Sequence, residues 1–187
     1  METSKQLSFW AKRGIFGVFP PMKPQILRGL GMTMFLCLSA ATAWGESNVA
    51  AKIGLEDQFG RTNSISFPRE NPCVLMIADR DGERQLDGWT GQIAEKSGER
   101  VDIYGLAALT HAPRAIRALI RDSFRKNQAR TVLLDWDGKV AADYAYAGKQ
   151  ALVLVIDRKG LIRHRATGAA DAAKLEAILH SLAETDP

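Results

Sequence analysis

Two uninterrupted apolar runs, Cys73–Ala78 and Ala151–Ile156, constrain this chain more than any other feature. Each run has the length of a strand and contains no polar residue, so neither strand can leave one face in contact with water. A sheet that is buried on both faces needs other elements packed above and below it. The chain is therefore expected to fold as an α/β domain around these two strands.

The segments around the runs alternate between strand and helix signals. An N-terminal hairpin is predicted from Ile53 to Phe67, with Gly60 in its turn. A helix capped by Asp81 and ending at Gly98 follows the first run. A second helix starts near Pro113 with a predicted buried stripe of Ile116, Leu119, Ile120 and Phe124. The other predicted elements are strands at Val101–Leu109, Thr131–Leu134 and Leu161–Arg165, a hairpin at Asp137-Gly138, and a last helix from about Asp171.

The N-terminal part of the chain does not resemble the rest. Residues 22–45 combine a basic start at Lys23 and Arg28, a short apolar stretch and a small-residue site, which together are typical of a secretory signal peptide. Cleavage is expected after Ala43, with Gly45 as the second choice. The apolar stretch is shorter than the roughly 20 residues that a membrane-spanning helix needs. The mature protein is therefore predicted to be periplasmic or secreted.

Residues 1–21 form an extension ahead of this signal, and two interpretations of it stay open. Either Met22 is the true initiator and residues 1–21 are not translated, or the extension is genuine and the uncleaved leader anchors the protein in a membrane. In both cases residues 46–187 are expected to form the folded domain.

The net charge of +4 belongs to the leader. The first 45 residues carry five of the 25 basic residues and one of the 21 acidic ones, so the remainder carries 20 of each. Cys37 also lies in the leader, which leaves Cys73 as the single thiol of the domain and excludes an internal disulfide. A neutral exported domain is not expected to bind nucleic acid.

Three segments resemble the thioredoxin-like superfamily, in particular exported redoxins of the peroxiredoxin and envelope thiol–disulfide oxidoreductase type. Leu55–Gly60 is similar to their opening L-x-D-x-x-G hairpin, Cys73–Asp79 to their first central strand, and Ala151–Ile162 to their P-T-x-F-L-I-D-x-x-G-x-I segment. The resemblance implies a three-layer α/β/α fold with a central mixed sheet and an N-terminal hairpin.

The chain departs from this family where the family has its chemistry. The family places C-x-x-C or a peroxidatic cysteine after the first central strand, because a helix N-terminus favours the thiolate. Here Arg80–Leu86 contains no cysteine, and Ala151 stands where the family has its cis-proline. Cys73 begins the strand instead of following it. We therefore expect a non-catalytic binding or accessory protein of the cell envelope, and the alternative is an antioxidant or oxidoreductase that uses Cys73 alone.

Two groups of residues are candidate binding sites. The first is the loop that corresponds to the family's active site, with Asp79, Arg80, Asp81 and Glu83. The second is a basic helix face formed by Arg114, Arg117, Arg121 and Arg125, which could contact a protein, an anionic small molecule or a lipid surface. The alternative, which amphipathic helices favour, is an ordinary solvated helix face. His111, His164 and His180 and the acidic pairs show no metal-ligand spacing, so neither a metal nor a cofactor is expected.

Overall fold

The computed structural model describes residues 48–128 and 130–185. The predicted signal peptide, its cleavage sites and the extension before it lie outside the described residues. Within the described ranges, no helix combines the length and the apolar character needed to cross a bilayer.

The described chain contains seven strands and four α-helices. The strands are β1 (Ile53–Glu56), β2 (Thr62–Ile65), β3 (Cys73–Ala78), β4 (Asp102–Ala108), β5 (Val132–Asp135), β6 (Leu152–Ile156) and β7 (Ile162–Thr167). The helices are α1 (Asp87–Ser97), α2 (Arg117–Asn127), α3 (Lys139–Asp143) and α4 (Ala172–Thr185). Short 3₁₀ helices at Glu83–Leu86 and Arg114–Ile116 lead into α1 and α2, and another follows α1 at Gly98–Arg100.

Five strands form one mixed sheet in the order β5-β4-β3-β6-β7, and β1 and β2 form a separate antiparallel hairpin. Strands β3, β4 and β5 are parallel, whereas β6 pairs antiparallel with both β3 and β7. The two apolar runs are neighbours, with Leu75 opposite Leu154. The expected α/β fold with a central mixed sheet and an N-terminal hairpin is confirmed.

The two faces of the sheet are covered by different elements. Alternate residues of β3 such as Met76 face a core with Trp89 and Ile93 of α1 and Ile178 of α4. Helix α2 covers β4 and β5 on this same face through Ile120. The opposite face packs against the β1–β2 hairpin and the short α3. Burial on both faces is the physical reason why β3 and β6 contain no polar residue.

The predicted hairpin at Asp137-Gly138 is wrong, because α3 begins there. Gly138 has a φ of +70°, and the Asp135 carboxylate accepts a hydrogen bond from the backbone N–H of Ala141 at 2.8 Å. Burial of Val140 and Tyr144 against the sheet stabilises the helical turn. A left-handed glycine is compatible with either structure, and packing determines which one forms.

The predicted buried stripe of α2 is also partly wrong. Leu119 is 71% exposed, whereas Ile120 is buried and Ile116 and Phe124 pack against the core. The buried ridge therefore follows the i, i+4, i+8 positions from Ile116, and Leu119 lies outside it.

Candidate functional site

The loop that follows β3 is the first candidate site. Because β3, β4 and β5 are parallel, their carboxyl ends meet at one edge of the sheet, where ligands bind in many open α/β folds. The loop residues Asp79–Gly82 lie at this edge and lead through Glu83–Leu86 into α1. The structure thus places all four predicted loop residues at the end of the central strand.

Asp79 organises this loop. Its Oδ1 accepts hydrogen bonds from the backbone N–H groups of Asp81 and Gly82 at 3.0 and 2.9 Å, and its Oδ2 accepts one from Lys149 at 2.8 Å. The Tyr146 hydroxyl accepts a hydrogen bond from the Asp79 backbone N–H at 2.8 Å. Burial alone would raise the pKa of Asp79, but the donors from Lys149 and Gly82 hold it below its ordinary value. The prediction that Asp81 caps the helix is therefore corrected, since the carboxylate of Asp79 receives the donors.

The loop packs closely on the segment before β6. A Cβ on Gly82 would lie 2.9 Å from the backbone nitrogen of Ala151, so the two backbones can meet only at glycine. The Ala151 N–H donates a hydrogen bond to Oε1 of Gln85 at 3.1 Å. A proline at this position would lack that donor. The alanine that replaces the family's proline thus takes part in holding the loop.

A narrow apolar cleft opens beside the loop, between α1, α2 and the sheet, with a volume of about 60 Å³. At Gly105 in the middle of β4 no side chain covers the floor of the cleft, and a Cβ there would find no atom closer than 3.8 Å. Its walls are Met76, Ile103, Ala107 and Val132 of the sheet and Leu86 and Phe124 of the helical layer. Asp79, Arg80 and Glu83 line it at the loop end, and Arg130 lines it near the start of β5.

Glu83 differs from Asp79 in its surroundings. It is half-buried at the cleft, and no described residue donates a hydrogen bond to its carboxylate. Burial, with a smaller contribution from the nearby Asp87, raises the pKa of Glu83. The Asp79 carboxylate therefore accepts three hydrogen bonds within the protein, whereas that of Glu83, which also lines the cleft, accepts none from the described residues.

Cys73 lies far from this loop. It begins the central strand β3, as the sequence predicts, and is only 1% exposed. The five residue steps from Cys73 to Ala78 correspond to roughly 17 Å along the strand. Burial raises the pKa of Cys73 to about 12, although the guanidinium of Arg69 acts in the opposite direction. The thiol therefore lacks both the access and the acidity of a redox nucleophile.

The basic helix face is largely occupied by contacts within the protein. Arg121 forms an ion pair with Glu56 at 2.8 Å, and Arg125 donates a hydrogen bond from Nε to the backbone oxygen of Gln58 at 2.7 Å. Both partners belong to the N-terminal hairpin and its turn. The periodicity of the arginines identified the face, but partners more than sixty residues away carry no signal in the helix sequence.

The other two arginines lie toward the start of α2. Arg117 stacks 5.0 Å from the ring of Trp136 and donates a hydrogen bond to its carbonyl oxygen at 3.4 Å. Arg114 belongs to the preceding 3₁₀ helix and is exposed. Three of the four arginines in the basic helix face thus contact other parts of the protein. Binding of a ligand by this face stays a prediction.

The three histidines are not brought together. His111 follows β4, His164 lies on β7, and His180 lies on α4 within 3.6 Å of Glu184. Over residues 48–128 and 130–185, no three His, Cys, Asp or Glu side chains are grouped so as to hold a metal ion.

No family model and no curated protein matches this chain by sequence. Solved structures do match by fold. A protein from Chlorobium tepidum named as a thiol:disulfide interchange protein, DsbE, superposes with a TM-score of 0.57 at 17% identity, covering 74% of this chain and 95% of its own. The exposed lipoprotein thioredoxin of Streptococcus pneumoniae gives 0.57 at 20%, covering 72% and 99%, and StoA of Bacillus subtilis gives 0.54 at 15%, covering 70% and 98%. The fold of this chain is therefore thioredoxin-like.

Proposed function

We propose that this protein is an exported thioredoxin-fold protein that acts in the cell envelope by binding, without thiol–disulfide or peroxidase chemistry. One observation carries the proposal: the loop after β3 contains no cysteine, and the only thiol of the described chain is buried at the other end of that strand. Structures with this fold include proteins named for thiol–disulfide interchange. Thiol–disulfide interchange needs an accessible cysteine thiolate, and the loop after β3 does not supply one here.

Export and envelope location belong to the same proposal and rest on the leader. The basic start, the apolar stretch and the small-residue site in residues 22–45 support secretion and cleavage. Sequencing the N-terminus of the protein isolated from cells tests this point. A start at Trp44 or Glu46 supports release, whereas an N-terminus ahead of the leader supports the anchored alternative.

The candidate binding surface is the loop edge of the sheet, with Asp79, Arg80, Asp81 and Glu83. The basic helix face ranks second, because Arg117, Arg121 and Arg125 already have partners within the protein. An anionic lipid or an acidic protein would have to compete with those contacts.

The absence of thiol chemistry can be tested on the full chain. We expect no reduction of insulin disulfides and no turnover of peroxide above the background of a Cys73→Ser variant, since the thiol is buried. The alkylation rate of Cys73 is a second measurement, and we expect it to stay low up to alkaline pH and to rise only on unfolding. A rate typical of an exposed thiol, or turnover that Cys73→Ser abolishes, would establish the antioxidant alternative.

A further inference from the structure

The size of the apolar cleft limits what can enter it. Helices α1 and α2 cover the same face of the sheet, and Gly105 and Ala107 provide little side chain to fill the gap between them. A water-sized site needs about 10–15 Å³ on this measure. The cleft of about 60 Å³ therefore accommodates about four to six non-hydrogen atoms in a row.

The two carboxylates that line the loop end of the cleft differ in their hydrogen-bond partners. The Asp79 carboxylate accepts three hydrogen bonds from backbone N–H groups, whereas that of Glu83 receives none from the described residues. Asp87 adds negative charge beside Glu83, and Arg84 adds positive charge there. Arg80 also lines the cleft, but it already has an interaction partner. A ligand at this end must therefore bring a hydrogen-bond donor, and a cationic donor is favoured.

We propose that the cleft binds a small alkylammonium compound, with its alkyl chain against Met76, Ala107 and Phe124 and its ammonium group against Glu83. This inference rests on the proposed function, because it assigns a ligand class to the loop edge of the sheet. The apolar chain leaves water, and the ammonium donates to a carboxylate that receives no hydrogen bond from residues 48–128 and 130–185.

The orientation of the ligand in the cleft distinguishes a free amine from the lysine side chain of another protein. Glu83 is half-buried and so lies at the margin of the cleft, while the interior is apolar. The ammonium group stays at the margin and the chain extends inward. A lysine of another protein would have to insert its charged end first, which places an ammonium among apolar side chains without a partner.

Arg130 provides the competing possibility. It borders the cleft near the start of β5, at the level of Ile103. Ile103 is four residue steps, or roughly 13 Å, from Ala107 at the loop end of the cleft. An anionic head group at Arg130 would reverse the selectivity of the site. The experiment therefore compares head groups of opposite charge on the same chain.

The test is an NMR titration of the full chain with pentylamine, 1-pentanol and pentanoate at neutral pH. We expect pentylamine to bind about tenfold more tightly than 1-pentanol, because it adds a charge-assisted hydrogen bond. Pentanoate is expected to bind most weakly, and the shifted resonances should include those of residues lining the cleft. Preference for pentanoate, equal binding of all three, or tighter binding of Nα-acetyl-lysine methylamide than of pentylamine would overturn the proposal.

Two variants and one control locate the binding. Glu83→Gln keeps the side-chain volume and should remove the preference of pentylamine over 1-pentanol. Gly105→Val fills the floor of the cleft and should weaken all ligands at least tenfold. Gly54→Val on β1, where a Cβ meets nothing within 4 Å, should leave binding unchanged. Equal binding by Gly105→Val and Gly54→Val would place the ligand elsewhere and refute the proposal. Circular dichroism establishes that each variant is folded.

The ligand class and the proposed function fail separately. If no amine binds and the protein still shows no thiol turnover, the ligand class alone is wrong. If insulin reduction or peroxide turnover depends on Cys73, the proposed function is wrong whatever the titration shows.

Discussion

Replacing Asp79 should destabilise the domain much more than replacing Asp81, although both aspartates belong to one four-residue turn. Asp79→Ala removes the charged acceptor of three backbone N–H groups. Hydrogen bonds to charged groups contribute about 1.5–3 kcal/mol each when shielded, and partial exposure of Asp79 lowers this to about 1 kcal/mol each. The expected loss in the free energy of unfolding is therefore about 2–3 kcal/mol. Asp81→Ala, an exposed position, should cost under about 0.5 kcal/mol.

Asp79→Asn removes the charge of the side chain and keeps its shape. The amide oxygen can replace Oδ1 as acceptor, but the amide nitrogen then faces the N–H of Lys149, so about 1–2 kcal/mol should be lost. The folded-state pKa of Asp79 lies below the ordinary value of 3.8, so its stabilisation is present above that value and is lost as pH falls through the folded pKa. Urea unfolding at neutral pH and in a series below about pH 4 measures both effects. Equal costs for Asp79→Ala and Asp81→Ala, or an Asp79→Asn deficit that is independent of pH, would refute this account of the loop.

Three other substitutions test the packing by the same urea unfolding. Gln58→Leu removes the amide that bonds the buried N–H of Val132 and the carbonyl of Arg130, and it should lower the free energy of unfolding by about 2–3 kcal/mol. A near-neutral effect would contradict this role of the amide. Trp89→Phe removes the buried indole N–H that donates to the Gly168 carbonyl and should lower the free energy of unfolding by about 1–3 kcal/mol. An unchanged free energy of unfolding would mean that this hydrogen bond does not stabilise the domain. Gly138→Ala places a Cβ against Oγ1 of Thr110 at a φ of +70° and should cost more than about 2 kcal/mol, with partial recovery on adding Thr110→Ala. A stable single variant would refute the clash.

The central strands were predictable because a strand that is buried on both faces contains no polar residue. The runs at Cys73–Ala78 and Ala151–Ile156 lie side by side as β3 and β6. The region after Gly138 was not predictable in the same way, because a left-handed glycine can begin either a tight hairpin or a helix. Burial of Val140 and Tyr144 decides between them, and that burial depends on elements distant in the chain.

The candidate site was predictable in place but not in detail. The order of elements located the loop at Asp79–Glu83, since it follows the first central strand. The sequence alone does not show that the Asp79 carboxylate has three backbone donors while that of Glu83 has none among the described residues, because one donor comes from Lys149, 70 residues further along the chain. The cleft is equally hidden, because it arises from Gly105 facing a gap between two helices.

The turn of the N-terminal hairpin has a consequence for assembly. The side-chain amide of Gln58 forms two hydrogen bonds of 2.8 Å with the β5 edge, accepting from the N–H of Val132 and donating to the carbonyl of Arg130. An antiparallel bridge from Asp57 to Leu133 covers the next position. Growth of a sheet into a filament needs two open edges on each molecule, and this edge is closed. Within the described residues, a strand of another copy can therefore pair with β5 only by displacing the Gln58 amide and the bridge from Asp57 to Leu133.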